Sequence, residues 1–373
     1  MMQKRIDFSK TYAIALAGGG AKGGYEVGVW RSLSEEGLKY NAVSGTSVGA
    51  LNGAMMTMRD LEKAEELWRN MRYSRVMNVD DAAMAKLFSG EPTMRQIGAA
   101  LKKAVNIFKD GGFDISPLRE LIRTTADIPG IKNSDVEFFI VTYSLTDKKG
   151  LDIAVKSLPD DEICDMLLAS AYYPAFRNEP LTGGKHYADG GFAENLPLSP
   201  LIDHGYKNII AVRLTEPKGR TKKLKLTSDV MIDVIAPKRK LGHTLNFCRE
   251  QSAFDMTLGY FDAKRYVYGL VGDYYYLERT LSEKEAYNRL MTLLEDYFAR
   301  TKPSASLRTI HEELIPKFAQ KQEAEGDYYD ILIKYVEHTG AVFKIPEFRI
   351  MKDTDLISEV SAAMEAHGMT RQK

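Results

Sequence analysis

Two short apolar runs each break into a cluster of glycines, and each cluster opens a segment with helical patterning. The first is "TYAIALAGGGAKGG", ending at Gly24, and the second is "YNAVSGTSVG", ending at Gly49. A strand that turns at once into a helix, twice in succession, commits a chain to right-handed crossovers and so to parallel neighbours. In a parallel sheet both turns then emerge at the same edge, where such folds gather their chemistry.

The text between and beyond the turns keeps to this pattern. "GYEVGVWRSLSEEG" sets Val27, Trp30 and Leu33 at helical spacing, with Gly37 placed to stop the helix. "SVGALNGAMMTM" carries a small-residue face, Gly49 with Gly53 and Ala50 with Ala54, which lets a helix lie close on a sheet. "DLEKAEELWRNM" is amphipathic through Leu61, Ala64, Trp68 and Met71. Further on, "ISPLRELIRTTAD" predicts a helix with Ser116 as N-cap and Pro117 at its first position. "DVEFFIVTYSL" and "LDIAVKSL" are strands around the turn "TDKKG", and "PDDEICDMLLASAYYP" is a helix stopped by Pro174. "KHYADGG" is a strand running into a turn, "SPLIDHG" a short helix, and "KNIIAVRL" and "DVMIDVIAP" buried strands. Strands alternating with helices predict an α/β fold with a mostly parallel, helix-covered sheet. Residues 75–113 lack strand signals and form a helical insertion, and residues 281–373 are strand-poor and form a helical C-terminal module.

Composition narrows the partners. The 51 basic and 51 acidic residues balance, so no global field draws the chain to nucleic acid, and lipid contact must come from local patches. One such patch is 92–109, with Arg95, Lys102, Lys103 and Lys109; it fits a core-covering helix with a solvated basic face, or an interfacial lid on anionic headgroups. The run "KGRTKKLKL", Lys218 to Leu226, fits a solvated loop beside a strand. Cys164 and Cys248 give neither a disulfide framework nor metal-ligand spacing. The N-terminal apolar run is short and glycine-broken, unlike a signal peptide, and no stretch reaches the roughly 20 apolar residues of a spanning helix. These features fit a cytoplasmic protein.

Gly18-x-Gly20-x-x-Gly23 has dinucleotide-loop spacing, but that reading needs an acid at the end of the second strand, and "YNAVS" ends in "GTSVG" instead. Lys22 is followed by Gly23, so the phosphate-binding Gly-Lys-Ser/Thr is absent. What remains is a cradle of backbone N–H groups for a negative oxygen, or a tight turn without a ligand. Gly45-Thr46-Ser47-Val48-Gly49 is G-x-S-x-G between a strand and a helix, which thrusts a serine hydroxyl out at a helix N-terminus; the plain alternative is an N-cap. Asp189, in "YADGG", could take the Ser47 proton directly, or simply make an Asp-Gly turn. A Ser–acid–His order with His243 is the other arrangement, but "LGHTLNF" lacks a strand-then-loop context.

Together these residues resemble the patatin-like phospholipases: "GGGAKGG", then "GTSVG", then "DGG", in that order, with "GVWRSL", "GALNGAM", "FDISPL", "NLPLSPLIDHG" and "LNFCREQS" around them. The resemblance covers about residues 10–280. It implies a three-layer α/β/α sandwich; the candidate role of 75–113 as a helical lid or cap insertion comes from its residues and not from the resemblance. It implies a Ser-Asp dyad, with Ser47 as nucleophile and Asp189 as base, and an oxyanion loop of Gly18, Gly19 and Gly20, with the Val48 N–H a further donor. Lys22, Gly23, Gly45, Gly49, Gly190 and Gly191 support the motifs. Gly191 stands where many relatives have alanine. The implied substrates are acyl esters of phospholipids, lysophospholipids or neutral lipids, hydrolysed without a metal or cofactor; peripheral membrane contact is a separate expectation, from the local basic patches. A Ser-His-Asp esterase and a catalytically idle lipid-binding scaffold are the competing expectations.

Overall fold

The computed structural model describes residues 4–88, 111–215, 227–301, 306–324 and 326–367, the side chains of 295–301 and 307 excepted. The basic stretch 92–109 and the run 218–226 lie outside these residues. The chain divides into two compact units, Ile6–Lys264 and the remainder, in which Met1–Arg5 joins Arg265–Lys373.

The first unit is built on a seven-stranded sheet. Its elements are β1 (Thr11–Leu16), α1 (Gly24–Glu35), β2 (Lys39–Thr46), α2 (Val48–Thr57), α3 (Leu61–Arg69), α4 (Asp81–Phe88), α5 (Ser116–Thr125), α6 (Ile128–Asn133), β3 (Glu137–Ser144), β4 (Lys149–Ala154), α7 (Asp160–Ser170), β5 (Tyr187–Ala188), α8 (Ser199–Asp203), β6 (Asn208–Val212), β7 (Met231–Ile235) and α9 (Arg249–Tyr268). The strand order is β4-β3-β2-β1-β6-β7, with the two-residue β5 paired to β3. β3, β2, β1, β6 and β7 run parallel, and β4 and β5 are antiparallel to β3. The chain winds outward from β1 through β2 to β3, then returns to the other side of β1 with β6. β1 and β6 therefore flank a switch point, the crevice where open α/β sheets bind ligands.

Local chemistry explains the layering. On one face, the small Ala13, Ala15, Ala42 and Ala211 leave room for Leu201 of the short α8 to pack directly on the sheet beside Phe139 and Ile209. The opposite face carries Ile14, Leu16, Val43, Phe138 and Ile140, all buried, and α2 and α7 pack on this side of the sheet. The fold is α/β with a mostly parallel sheet, as expected, with one thick helical layer and one thin one. Val27, Trp30 and Leu33 are buried, and Gly37, at φ +85°, ends α1 in the conformation that glycine adopts without strain.

Three local expectations need correction. Ser116 is the first residue of α5 and not its cap; its own N–H is taken by Asp114 Oδ1 at 2.9 Å, so the aspartate two residues upstream does the capping. β7 is not buried: it is an edge strand, and Met231 is 63% exposed. α9 was not anticipated as a helix, because its buried positions include Ser252, Asp255 and Asp262, which erase the apolar periodicity.

The second unit is mainly helical: α10 (Glu283–Thr301), α11 (Leu307–Thr309) continuing through a π-helical turn at Ile310–Leu314 into α12 (Ile315–Lys321), α13 (Tyr328–Val342) and α14 (Asp353–Ala366). Leu290, Leu294, Leu332, Val336 and Leu356 make its core. It also holds a short parallel pair, β8 (Tyr276–Glu278) with β9 (Ile350–Lys352), too brief to announce itself in a helix-rich text.

Candidate active site

Strand register alone brings two distant residues face to face. β2 lies along β3 as far as the pair Thr46↔Val141, and β4 occupies the other side of β3. β5 therefore takes the side that β2 has vacated, pairing Tyr143↔Ala188 while running in the opposite direction. The two strands point head to head along the same lane, so the residue after β2, Ser47, meets the residue after β5, Asp189. Ser47 Oγ donates to Asp189 Oδ2 at 2.5 Å.

Ser47 sits on a sharp elbow. Its φ of +57° and ψ of −124° lie where a side chain is strained, a conformation kept only when its surroundings enforce it. The enforcement is visible. A Cβ on Gly45 would stand 2.3 Å from Gly49 O, and one on Gly49 would stand 2.4 Å from Leu16 O, so only glycine lets α2 start this close to β1 and β2. The Ser47 N–H donates to Ser170 Oγ (2.8 Å), and that hydroxyl donates to Val141 O (2.6 Å). Ser170, at the end of α7, carries no sequence signal beyond being a polar residue in a buried helix turn. Ser170→Ala would orphan the buried Ser47 N–H. It is expected to cost about 1–3 kcal/mol in a denaturation measurement and to lower kcat more than it raises KM, since the elbow and not the cavity is disturbed.

Asp189 is held on three sides. Its N–H donates to Tyr172 O (2.9 Å), its Oδ1 accepts from the Gly191 N–H (2.8 Å), and its Oδ2 takes the Ser47 hydroxyl. Ser47 and Asp189 are only 7% and 8% exposed. Burial pushes the Asp189 carboxyl from 3.8 up to about 6, and the hydrogen bonds from Ser47 and Gly191 restrain the rise.

The glycine turn after β1 lies beside this pair: a Cβ on Gly18 would come within 3.3 Å of the Ser47 Cβ. The Gly18 N–H, however, is already given to Asn195 O at 2.9 Å, so Gly18 does not fit the role of oxyanion donor. The Gly19, Gly20 and Val48 amides stand at the starts of turns, where no intrahelical acceptor exists, and make no hydrogen bond among the described residues. Behind the turn, the Asn52 amide donates to both Gly23 O (2.9 Å) and Glu26 Oε2 (2.8 Å) and accepts from Trp68 Nε1 (2.9 Å). One side chain on α2 thus fastens the glycine turn, α1 and α3. Burial pushes the Glu26 carboxyl well above the usual carboxylate range, and the hydrogen bond from Asn52 opposes that rise. Lys22 faces α9: its charge opposes the upward push of burial on Asp255, which lies at about 7. Asn52, Ser170 and Asn195 were not singled out from the sequence.

His243 is exposed; its Nδ1 accepts the Leu245 N–H at 3.3 Å and its ring packs 5.2 Å from that of Phe88. His186 pairs with Asn178, and His204 with Pro200 O. Among the described residues no histidine bonds to Ser47 or Asp189, and no three His, Cys, Asp or Glu side chains gather as a metal site. The pair opens on a cavity of about 750 Å³ whose walls include Leu51, Trp68, Leu118, Phe176 and Phe247. No described helix is long and apolar enough to cross a membrane.

A parallel α/β sheet with a serine elbow, a carboxylate partner and a glycine-rich turn defines a hydrolase-type site. The comparisons agree with that class. The model of the patatin-like phospholipase family matches residues 14–202, half of the sequence and all three motifs, and the chain belongs to that family. It is 26% identical over 217 residues to patatin-like phospholipase domain-containing protein 7 of Rattus norvegicus, covering 56% of this chain and 14% of that protein. It is 25% identical over 199 residues to lysophospholipase NTE1 of Mycosarcoma maydis, covering 53% of this chain and 9% of that one. Both matches span only a small part of the relatives' length. The crystal structure of VipD from Legionella pneumophila aligns with 98% of this chain and 88% of its own, at 15% identity and a TM-score of 0.46.

Proposed function

We propose that this chain is a lipid acyl hydrolase that cleaves carboxylic esters of phospholipids or lysophospholipids with a Ser47–Asp189 dyad. The observation that carries the reading is the 2.5 Å bond between Ser47 Oγ and Asp189 Oδ2. Membership of the patatin-like phospholipase family supports the substrate class, as do relatives whose names specify phospholipase and lysophospholipase.

The steps follow from the geometry. Ser47 Oγ attacks the ester carbonyl carbon while Asp189 Oδ2 takes its proton. The carbonyl oxygen becomes an oxyanion held by the Gly19, Gly20 and Val48 N–H groups, at the positive end of α2. Asp189 returns the proton to the departing alcohol, and an acyl-serine remains. Water then gives a proton to the same carboxylate and attacks the acyl carbon; the acyl–Oγ bond breaks, Asp189 returns that proton to Ser47 Oγ, and the fatty acid leaves. An aspartate of ordinary pKa is a weak base toward a hydroxyl; burial that lifts it to about 6 makes it a better one without protonating it at pH 7. Because Asp189 must be ionised, kcat/KM is expected to rise with pH, reach half its plateau near pH 6 and stay flat above pH 7, as a pH–rate profile on a soluble ester would show.

Phe192, 65% exposed, lines the same cavity and offers the site an apolar contact with a lipid surface. His243 would have to leave the Leu245 N–H and reach Asp189 to build a triad. Fatty-acid release from a panel of phospholipids, lysophospholipids and neutral esters, by wild type and Ser47→Ala, tests the proposal. Release that Ser47→Ala abolishes is expected; equal release by both proteins would refute it.

A further inference from the structure

Beyond the main cavity lies a second hollow of about 60 Å³. Five side chains line both spaces and so form the partition between them: Leu51, Trp68, Met71, Leu118 and Leu121. Ala54, Ala64 and Leu167 close the far side, all buried. The polar groups in its lining are already engaged. Asn52 bonds to Gly23, Glu26 and Trp68, and the Thr125 hydroxyl donates to Leu121 O (2.6 Å). The remaining lining is apolar, so filling the hollow with hydrocarbon is favourable.

The position of the hollow relative to the nucleophile matters most. Ser47 stands at the start of α2, Leu51 lies one turn further and Ala54 nearly two, so the hollow is roughly 10 Å from the reacting oxygen along the helix axis. A short acyl group ends before the partition, whereas a long one reaches it. Trp68 is pinned through Nε1 to Asn52, but Leu51 and Leu121 are only partly buried and Met71 is unbranched, so the partition has members that can turn aside.

We infer that the hollow receives the methyl end of a long acyl chain, and that Leu121 and Ala64, in its partition and its far wall, set the chain length this protein prefers. The inference rests on the acyl hydrolase reading above.

The test is the ratio of kcat/KM for p-nitrophenyl palmitate to that for p-nitrophenyl butyrate, in wild type, Ala64→Leu, Leu121→Ala and Ser47→Ala. Ala64→Leu fills the hollow, and the ratio is expected to fall about tenfold. Leu121→Ala opens the partition, and the ratio is expected to rise several-fold; this substitution at a half-buried site keeps the test independent of whether Ala64→Leu folds. Butyrate turnover that depends on Ser47, with a ratio that stays within twofold in the folded variants, overturns the assignment of the hollow while leaving the hydrolase reading intact. Absence of Ser47-dependent turnover of either ester overturns both.

Discussion

Asp189→Asn is expected to lower kcat about 10³–10⁴-fold and, at neutral pH, to make the protein more stable. Both effects have one origin. The carboxylate is buried, bonded to the Ser47 hydroxyl and the Gly191 N–H, and lifted from 3.8 to about 6. An amide keeps the shape but cannot take a proton from serine. It also removes a charge that the fold holds at a cost. Between pH 3.8 and 6 the folded state binds a proton that the unfolded chain has released, so stability falls as pH rises through that window. Above pH 6 the whole penalty is present, on the order of 2–3 kcal/mol. The variant should therefore melt above wild type at pH 7.5, with the gap narrowing toward pH 4. A variant that is inactive and also less stable at pH 7.5 would mean that Asp189 has a structural role this description lacks.

The second large effect separates two adjacent glycines. A Cβ on Gly190 would stand 2.1 Å from Val141 O, on the backbone of strand β3. Relief requires the turn to move by roughly 1 Å to reach an ordinary carbon–oxygen contact. Asp189 would move with it, and a misplacement of that size costs about 100-fold in rate. A Cβ on Gly191 would meet only side-chain oxygens, those of Asp189 at 3.0 Å and Asn195 at 3.1 Å, which can give by a few tenths of an ångström. Gly190→Ala is expected to lose at least 100-fold in kcat/KM and Gly191→Ala less than tenfold. Equal losses would show that the strand contact does not set the position of Asp189.

Much of this was legible in the sequence, because glycine clusters and small-residue helix faces have few uses. "ALAGGGAKGG" and "SGTSVG" fixed two strand-to-helix turns, and the parallel order of β1, β2 and β3 followed. Motif order alone raises the expectation that Ser47 and Asp189 meet. The physical cause of that meeting is a strand pairing no motif spells out: β5 fills the lane that β2 leaves beside β3. Ser170 and Asn52 were invisible, because a single buried polar residue inside a helical pattern looks like noise until its partners are known. The loss of Gly18 as a donor is of the same kind: its N–H is taken by the carbonyl of Asn195, a residue 177 positions further along the chain. α9 shows no clear helical period for a related reason, since the buried Ser252, Asp255 and Asp262 stand where that period needs apolar side chains. β7, "DVMIDVI", has the apolar composition of an inner strand, and only its place beyond β6 leaves Met231 exposed.

Fluorophosphonate labelling, followed by mass spectrometry of the modified peptide and by rate measurement in Asp189→Asn and His243→Ala, bears most directly on the dyad. One adduct is expected, on Ser47, formed at least 100-fold more slowly in Asp189→Asn and at the wild-type rate in His243→Ala. An adduct on another residue, or labelling that survives loss of the aspartate and stops with loss of the histidine, would contradict it.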